Sequence, residues 1–198
     1  MADEQRQIGL RERKKIKTRN TVQRQAVRLF REQGYAETTI EQIAEASEVS
    51  PSTLFRYFPT KEALVLEDEF DPMLIELFRK QPAHVSPIQA FRQAMQEGVA
   101  LVPDDLQQET RERMELIMTI PELSAAYMSE MSKTIGLIAG LIAERQGKDS
   151  RDLAVLSYAG AIIGAILGAH VYCTEHPEED YISPMISALA HVEQELSQ

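Results

Sequence analysis

Apolar residues recur at helical spacing along most of this chain, and no stretch alternates with a sustained period of two. Val22, Ala26, Leu29 and Phe30 form a first stripe, which Gly34 ends. Ile40, Ile43 and Ala44 form a second. Thr38 and Thr39 precede it, with Glu41 and Gln42 three positions after each, so a capping box fits in either frame. Ser50 then caps a further helix with Pro51 at its first position, where the missing N–H costs nothing. In that helix Leu54 and Phe58 lie one turn apart and face a core, while Ser52, Thr53, Arg56 and Tyr57 point away. Pro59 closes it, and Thr60 caps a helix expected to begin at Lys61.

Beyond Lys61 the pattern predicts helices punctuated by proline. A connector over 60–80 is expected to bend or break near Asp71 and Pro72, because proline disfavours helical geometry in its predecessor. Pro82 and Pro87 bracket a loop. Helices are then expected from Ser86 to about Ala100, from Pro103 to about Thr119, and from Pro121 to Gln146, with Gly147 as terminator. Residues 150–174 and 180–197 supply two more. The fold class is all-α, with about nine helices.

Residues 153–173 carry no formal charge over 21 positions, a length that spans a bilayer. The membrane reading is set aside because Ser157, His170 and many Gly and Ala interrupt it, and its flanks, Asp152 and Glu175, are acidic rather than basic. A helix apolar all round is equally a buried core helix. Gly160, Gly164 and Gly168 recur every four residues beside Ala161, Ala165 and Ala169. Small residues at that spacing admit a second helix at close range, either inside one subunit or, as expected here, from a second copy.

The net charge of −10 is unevenly placed. Residues 1–61 hold 12 Lys and Arg against 8 Asp and Glu, whereas 62–198 hold 9 against 23. Positive potential therefore gathers at one end, as phosphate binding requires, and the acidic remainder repels a polyanion. Residues 1–15 are polar and basic without an apolar core, so no secretory leader is expected. A single cysteine excludes an internal disulfide framework and suits a reducing compartment.

Two short helices joined by a tight turn over 39–58 have the form of a helix-turn-helix DNA reader. Residues 16–66 resemble the N-terminal domain of TetR/AcrR-type transcriptional regulators. The likeness runs through Arg19, Ala26, Leu29, Phe30, Gly34, Tyr35, Thr39, Ile40, Ile43, Ala44, Val49, Ser50, Thr53, Leu54, Phe55, Tyr57, Phe58, Lys61, Glu62 and Leu64. Two positions depart from the pattern. Glu48 stands where the turn usually has Gly, and Phe55 where a Tyr is usual. The resemblance implies a flexible basic arm over 1–15, a DNA-binding domain over 16–66, and a ligand-binding and dimerisation domain over 67–198. It further implies a bacterial cytoplasmic protein. DNA contacts are expected from Arg19, Thr39, Ser50, Pro51, Ser52, Thr53, Phe55, Arg56, Tyr57 and Lys61. In the family the last two helices of each protomer form a four-helix dimer interface, here 150–174 and 180–197, with Gly160, Gly164 and Gly168 inside it.

The C-terminal half offers little catalytic chemistry. His170, Cys173 and His176 have metal-like spacing but supply no tetrahedral set, so a core cysteine beside helix-end histidines is the better reading and no metal is expected. No nucleophile elbow, zinc-protease motif or phosphate loop is present, so neither enzyme activity nor a cofactor is expected. Met95, Met114, Ile117, Met118, Tyr127, Met131, Tyr158 and Ile162 are each individually ordinary core residues. Together, flexible thioethers suit a pocket for a small hydrophobic or amphipathic ligand. Residues 111–123 also resemble the family branch that takes acyl-CoA-like ligands. The sequence reading is thus a homodimeric repressor of a pseudo-palindromic double-stranded DNA operator, released by such a ligand. A helical sequestering protein without DNA binding is the alternative.

Overall fold

A computed structural model describes residues 10–67, 70–101, 104–176 and 178–195. Ten helices, and no strand, occur among the described residues, one helix more than expected. The chain divides into two compact units, residues 1–67 and 68–198.

The first unit holds α1 (Leu10–Gln33), α2 (Ile40–Ala46), α3 (Pro51–Tyr57) and α4 (Ala63–Leu66). The basic arm expected over 1–15 is helical from Leu10, and residues 1–9 lie outside the described residues. Val22, Ala26 and Phe30 of α1 are buried with Ile43, Ala44, Leu54, Phe58, Leu64 and Val65. Gly34 ends α1 with φ +92°, a backbone that L side chains resist. Thr38 is buried, and its hydroxyl donates to the Gly34 carbonyl at 2.7 Å, sealing the α1–α2 link.

The break between α4 and α5 falls earlier than the sequence predicts. α4 ends at Glu67, whose backbone is extended, and Pro72 lies inside the first turn of α5 (Phe70–Lys80). Proline is tolerated there because first-turn N–H groups have no intrahelical acceptor.

The second unit continues with α6 (Pro87–Val99), α7 (Asp104–Thr119), α8 (Pro121–Gln146), α9 (Leu153–Glu175) and α10 (Ser183–Glu195). Ser86 caps α6 by accepting the Gln89 N–H at 3.1 Å. Gly147 ends α8 in the left-handed region at φ +63°. α9 packs against both α8 and α10, and its Val155, Ala159, Ile162, Ile163 and Ala169 enter one core with Phe78, Ile88, Phe91, Met95, Ile138, Ile142, Met185 and Leu189. Arg92 of α6 and Glu193 of α10 form a half-buried ion pair at 2.9 Å. Arg145 fastens the 81–85 turn by donating to the Gln81, Pro82 and Val85 carbonyls. Helix α9 is long and apolar enough to cross a bilayer, yet one side of it is core.

Candidate functional site

Local hydrogen bonds set the geometry of the α2–turn–α3 motif. Of the two possible capping frames the chain adopts that of Thr39. Its Oγ1 accepts the Gln42 N–H at 3.2 Å, and Gln42 Oε1 accepts the Thr39 N–H at 2.8 Å. At the other end of α2 the Val49 N–H reaches the Ala44 carbonyl and the Glu48 N–H reaches the Glu45 carbonyl, both at 3.0 Å. These are the paired bonds of a Schellman turn, and they place Glu48 at φ +55°. A non-glycine residue there bears a strain of about 1 kcal/mol.

Seven residues of α3 present two contrasting sides. Leu54 is fully buried, as is Phe58 at the C-cap. Pro51, Ser52, Phe55 and Arg56 are exposed, while Thr53 and Tyr57 are half-buried. Ser50 Oγ accepts the Thr53 N–H at 3.2 Å and lies 3.0 Å from Ser52 Oγ. The Arg56 guanidinium lies over the Tyr57 ring at 5.6 Å. Phe55, 49% exposed, adds an apolar ring. Hydroxyls, one guanidinium and an apolar surface are the groups that meet phosphates, guanine edges and thymine methyls.

Two residues expected at the DNA also make contacts within their own unit. Arg19 Nη2 pairs with Glu67 Oε2 at 2.6 Å, and its guanidinium covers the Phe58 ring at 4.6 Å. Lys61 Nζ donates to the Tyr35 carbonyl and lies 4.2 Å above the Tyr35 ring. Tyr35 Oη in turn donates to Glu62 Oε1 at 3.1 Å. Backbone hydrogen bonding, the Thr60 and Tyr35 hydroxyls and Lys61 hold the Glu62 carboxyl below its usual range, against the opposing effect of burial. These contacts tie α1, the α1–α2 link and α4 into one frame around α3. Lys14, Lys15 and Lys17 on α1 are exposed or nearly so.

In residues 68–198 the eight proposed pocket residues divide between the main core and positions outside it. Met95 and Ile162 belong to the main core, with Met131 and Tyr158 packed on its margin. Met114, Ile117 and Tyr127 are buried outside that core, on α7 and α8. Met118 is half-buried. An open cleft of about 500 Å³ beside the 83–87 turn is lined by Arg145, Lys148 and Tyr158, and Tyr158 is the single proposed pocket residue that reaches it. No group of three His, Cys, Asp or Glu able to hold a metal occurs among the described residues. His176 stacks on Tyr172 at 3.9 Å, whereas His170 is buried beside Tyr127.

Helix α9 keeps an exposed apolar edge. Leu153, Leu156, Val171 and Tyr172 are 37–80% exposed, and Gly164 and Gly168 are exposed between them. A Cβ built at Gly160, Gly164 or Gly168 meets nothing within 4 Å. Packing inside one chain therefore gives no reason for glycine at these positions.

Comparison with known proteins accounts for both units. Residues 24–67 match the family described as bacterial regulatory proteins of the tetR family, and residues 85–197 match the MftR C-terminal domain. The regulator TcmR of Streptomyces glaucescens is 36% identical over 151 residues, spanning 73% of this chain and 67% of TcmR. MftR of Mycobacterium tuberculosis, named for regulating mycofactocin biosynthesis, is 30% identical over 148 residues, 73% of this chain and 74% of MftR. Thermus thermophilus FadR, a TetR-family repressor solved with lauroyl-CoA, superposes with a TM-score of 0.50 at 26% identity, covering 88% of this chain and 92% of FadR. SmeT, solved with triclosan, superposes with a TM-score of 0.60 at 21% identity, covering 89% of this chain and 90% of SmeT. The chain belongs to the TetR family of DNA-binding transcriptional regulators, with a helix-turn-helix and a ligand-binding domain.

Proposed function

We propose that this chain is a repressor that binds a pseudo-palindromic operator as a homodimer, each protomer laying α3 in a major groove. The observation that carries this reading is the division of α3: Leu54 fills the core, while Ser52, Phe55 and Arg56 stay exposed on a helix pinned by the Ser50 cap. Thr39, Ser50, Pro51, Ser52, Thr53, Phe55, Arg56 and Tyr57 form the contact surface. Arg19 and Lys61 flank it, and each is also held by a contact within the unit. The exposed, uncharged edge of α9 around Gly164 meets its copy in a second protomer, which gives those glycines a packing role. A small apolar or amphipathic ligand held by residues 68–198 favours a dimer geometry that no longer matches the half-site spacing. Triclosan in SmeT and lauroyl-CoA in FadR support a ligand of that character.

Operator selection from random duplex DNA with the purified protein tests the reading. Enrichment of an inverted repeat is expected, its half-sites centred about one helical turn apart or a multiple of it. Recovery of unenriched DNA at low salt with folded protein would reject it.

A further inference from the structure

The phenol of Tyr181 ends in a buried Oη that has no hydrogen-bond partner. A hydroxyl sealed from water without a partner is unfavourable, so its retention calls for a reason. The ring sits in a cluster assembled from distant parts of the second unit. It stacks on the His170 imidazole of α9, with centroids 5.4 Å apart and planes at 14°. His170 Nδ1 lies 3.2 Å from Tyr127 Oη of α8. Cys173 Sγ approaches the Tyr181 carbonyl at 3.9 Å. Burial lowers the His170 pKa to about 4 and pushes the Tyr181 phenol far above its usual range, with Tyr127 and Cys173 adding to the rise and Arg113 of α7 opposing it. At neutral pH the cluster is therefore an uncharged set of O–H and N–H groups with a cation nearby.

Tyr181 lies on the short link between α9 and α10, which is fastened by polar contacts. Arg111 of α7 donates to the Glu179 carbonyl at 2.8 Å, and Tyr172 donates to Glu179 Oε1 at 2.8 Å. Asp180 Oδ1 accepts the N–H groups of Ile182 and Ser183 at 2.9 and 2.7 Å. Met114 and Ile117 of α7 and Leu123, one turn before Tyr127 on α8, are buried but stand outside the main core. The Tyr181 ring itself packs against the margin of the main core, so its hydroxyl stands where the core meets α7 and α8.

We infer that Tyr181 Oη is the polar anchor of the ligand site, donating its proton to a carbonyl or carboxylate oxygen of an amphipathic molecule whose apolar body lies among Met114, Ile117 and Leu123. This rests on the reading of residues 68–198 as ligand-responsive, and it supplies what that reading lacked, a place and a required functional group. The eight pocket residues expected from sequence are thereby divided: the half with Met114, Ile117 and Tyr127 belongs to the site, and the half with Met95 and Ile162 is core. The thioether of Met114 gives the site room to reshape around different bodies.

The test uses matched probes with and without the acceptor: 2-acetylnaphthalene against 2-ethylnaphthalene, and 2-nonanone and nonanoate against nonane. Binding is read by ligand-observed NMR and operator release by fluorescence anisotropy, for the wild-type chain and Tyr181→Phe. At least one acceptor-bearing probe is expected to bind the wild type roughly tenfold more tightly than its mate, and Tyr181→Phe to abolish that advantage. The Tm of Tyr181→Phe should equal or exceed that of the wild type, because the hydroxyl removed had no partner. A fall in Tm marks the hydroxyl as structural and overturns the assignment. Probes that bind and release operator equally in both proteins overturn the anchor while leaving ligand control intact. If no probe binds or alters operator affinity, both the anchor and ligand control fall.

Discussion

Residues 1–67 and 68–198 reach a folded state by different means. In the first unit the helix boundaries carry side-chain or backbone devices: the Thr39–Gln42 box, the Ser50 cap, the Thr60 hydroxyl accepting the Ala63 N–H, Gly34, and the paired bonds at Glu48. α3 has only seven residues and would not hold as an isolated helix, so these devices and the Leu54 anchor fix its outward side. In the second unit no described helix is shorter than the 11 residues of α5, against seven, seven and four in α2, α3 and α4, and beyond caps such as Ser86 and Gly147 burial decides their arrangement. Local chemistry thus aims the DNA surface, whereas tertiary packing makes the ligand domain. The first should be sensitive to single polar atoms, the second to volume and buried charge.

The largest expected effect lies at the edge of α9. Gly164→Leu places a side chain where the single chain has open space. The monomer should keep its fold while dimerisation weakens by about 1–3 kcal/mol. Loss of bivalency should then lower operator affinity by about 10²-fold or more. Sedimentation and operator titration of the same preparation check both, and an undisturbed dimer would erase the role given to that edge.

Acid should separate the two units next. All four histidines fall in residues 68–198, and His170 is the deeply buried one. Burial lowers its folded pKa from 6.5 to about 4. The unfolded chain therefore binds the proton first, so stability is full above pH 6.5 and declines as pH falls toward 4. The decline is on the order of 3 kcal/mol by the lower limit. Tm measured across this window should fall for the wild type and be flatter for His170→Gln. Parallel curves would remove His170 as the cause.

Within the first unit, Arg56→Ala should cost about 1–3 kcal/mol at one base pair and relax preference there. Ser50→Ala should instead cost about 1 kcal/mol of fold stability and weaken binding to every sequence alike. Competition titrations on operator variants, with thermal melts alongside, tell these patterns apart. The smallest effect is a gain: Glu48→Gly relieves the left-handed strain and should stabilise the fold by about 1 kcal/mol in denaturant melts.

The same contrast explains what the sequence made legible. Ser50 with Pro51, Ser86 with Pro87, Pro121 and Gly147 sit at observed helix ends because caps act over three or four residues. Proline alone misplaced the α4–α5 break, since Pro72 fits a first turn. The internal contacts of Arg19 and Lys61 are not legible in the sequence because their acceptors, Glu67 and the Tyr35 carbonyl, lie 48 and 26 residues away. The Tyr127–His170–Tyr181 cluster left no local trace, its members coming from α8, α9 and the α9–α10 link. His170 stood out in the sequence as a would-be metal ligand and as a polar break in an apolar run, not as a partner of either tyrosine.

The uncharged length of α9 bears on partner choice. Residues 153–173 offer no charge with which to repel a wrong helix, so an interface built there has no electrostatic code for self. Discrimination would then be left to shape: the open space at Gly160, Gly164 and Gly168 would admit a backbone at short range and penalise any helix with a branched side chain at that register. In a cell that makes several regulators of this fold, fidelity of pairing would be set by the register of three missing side chains.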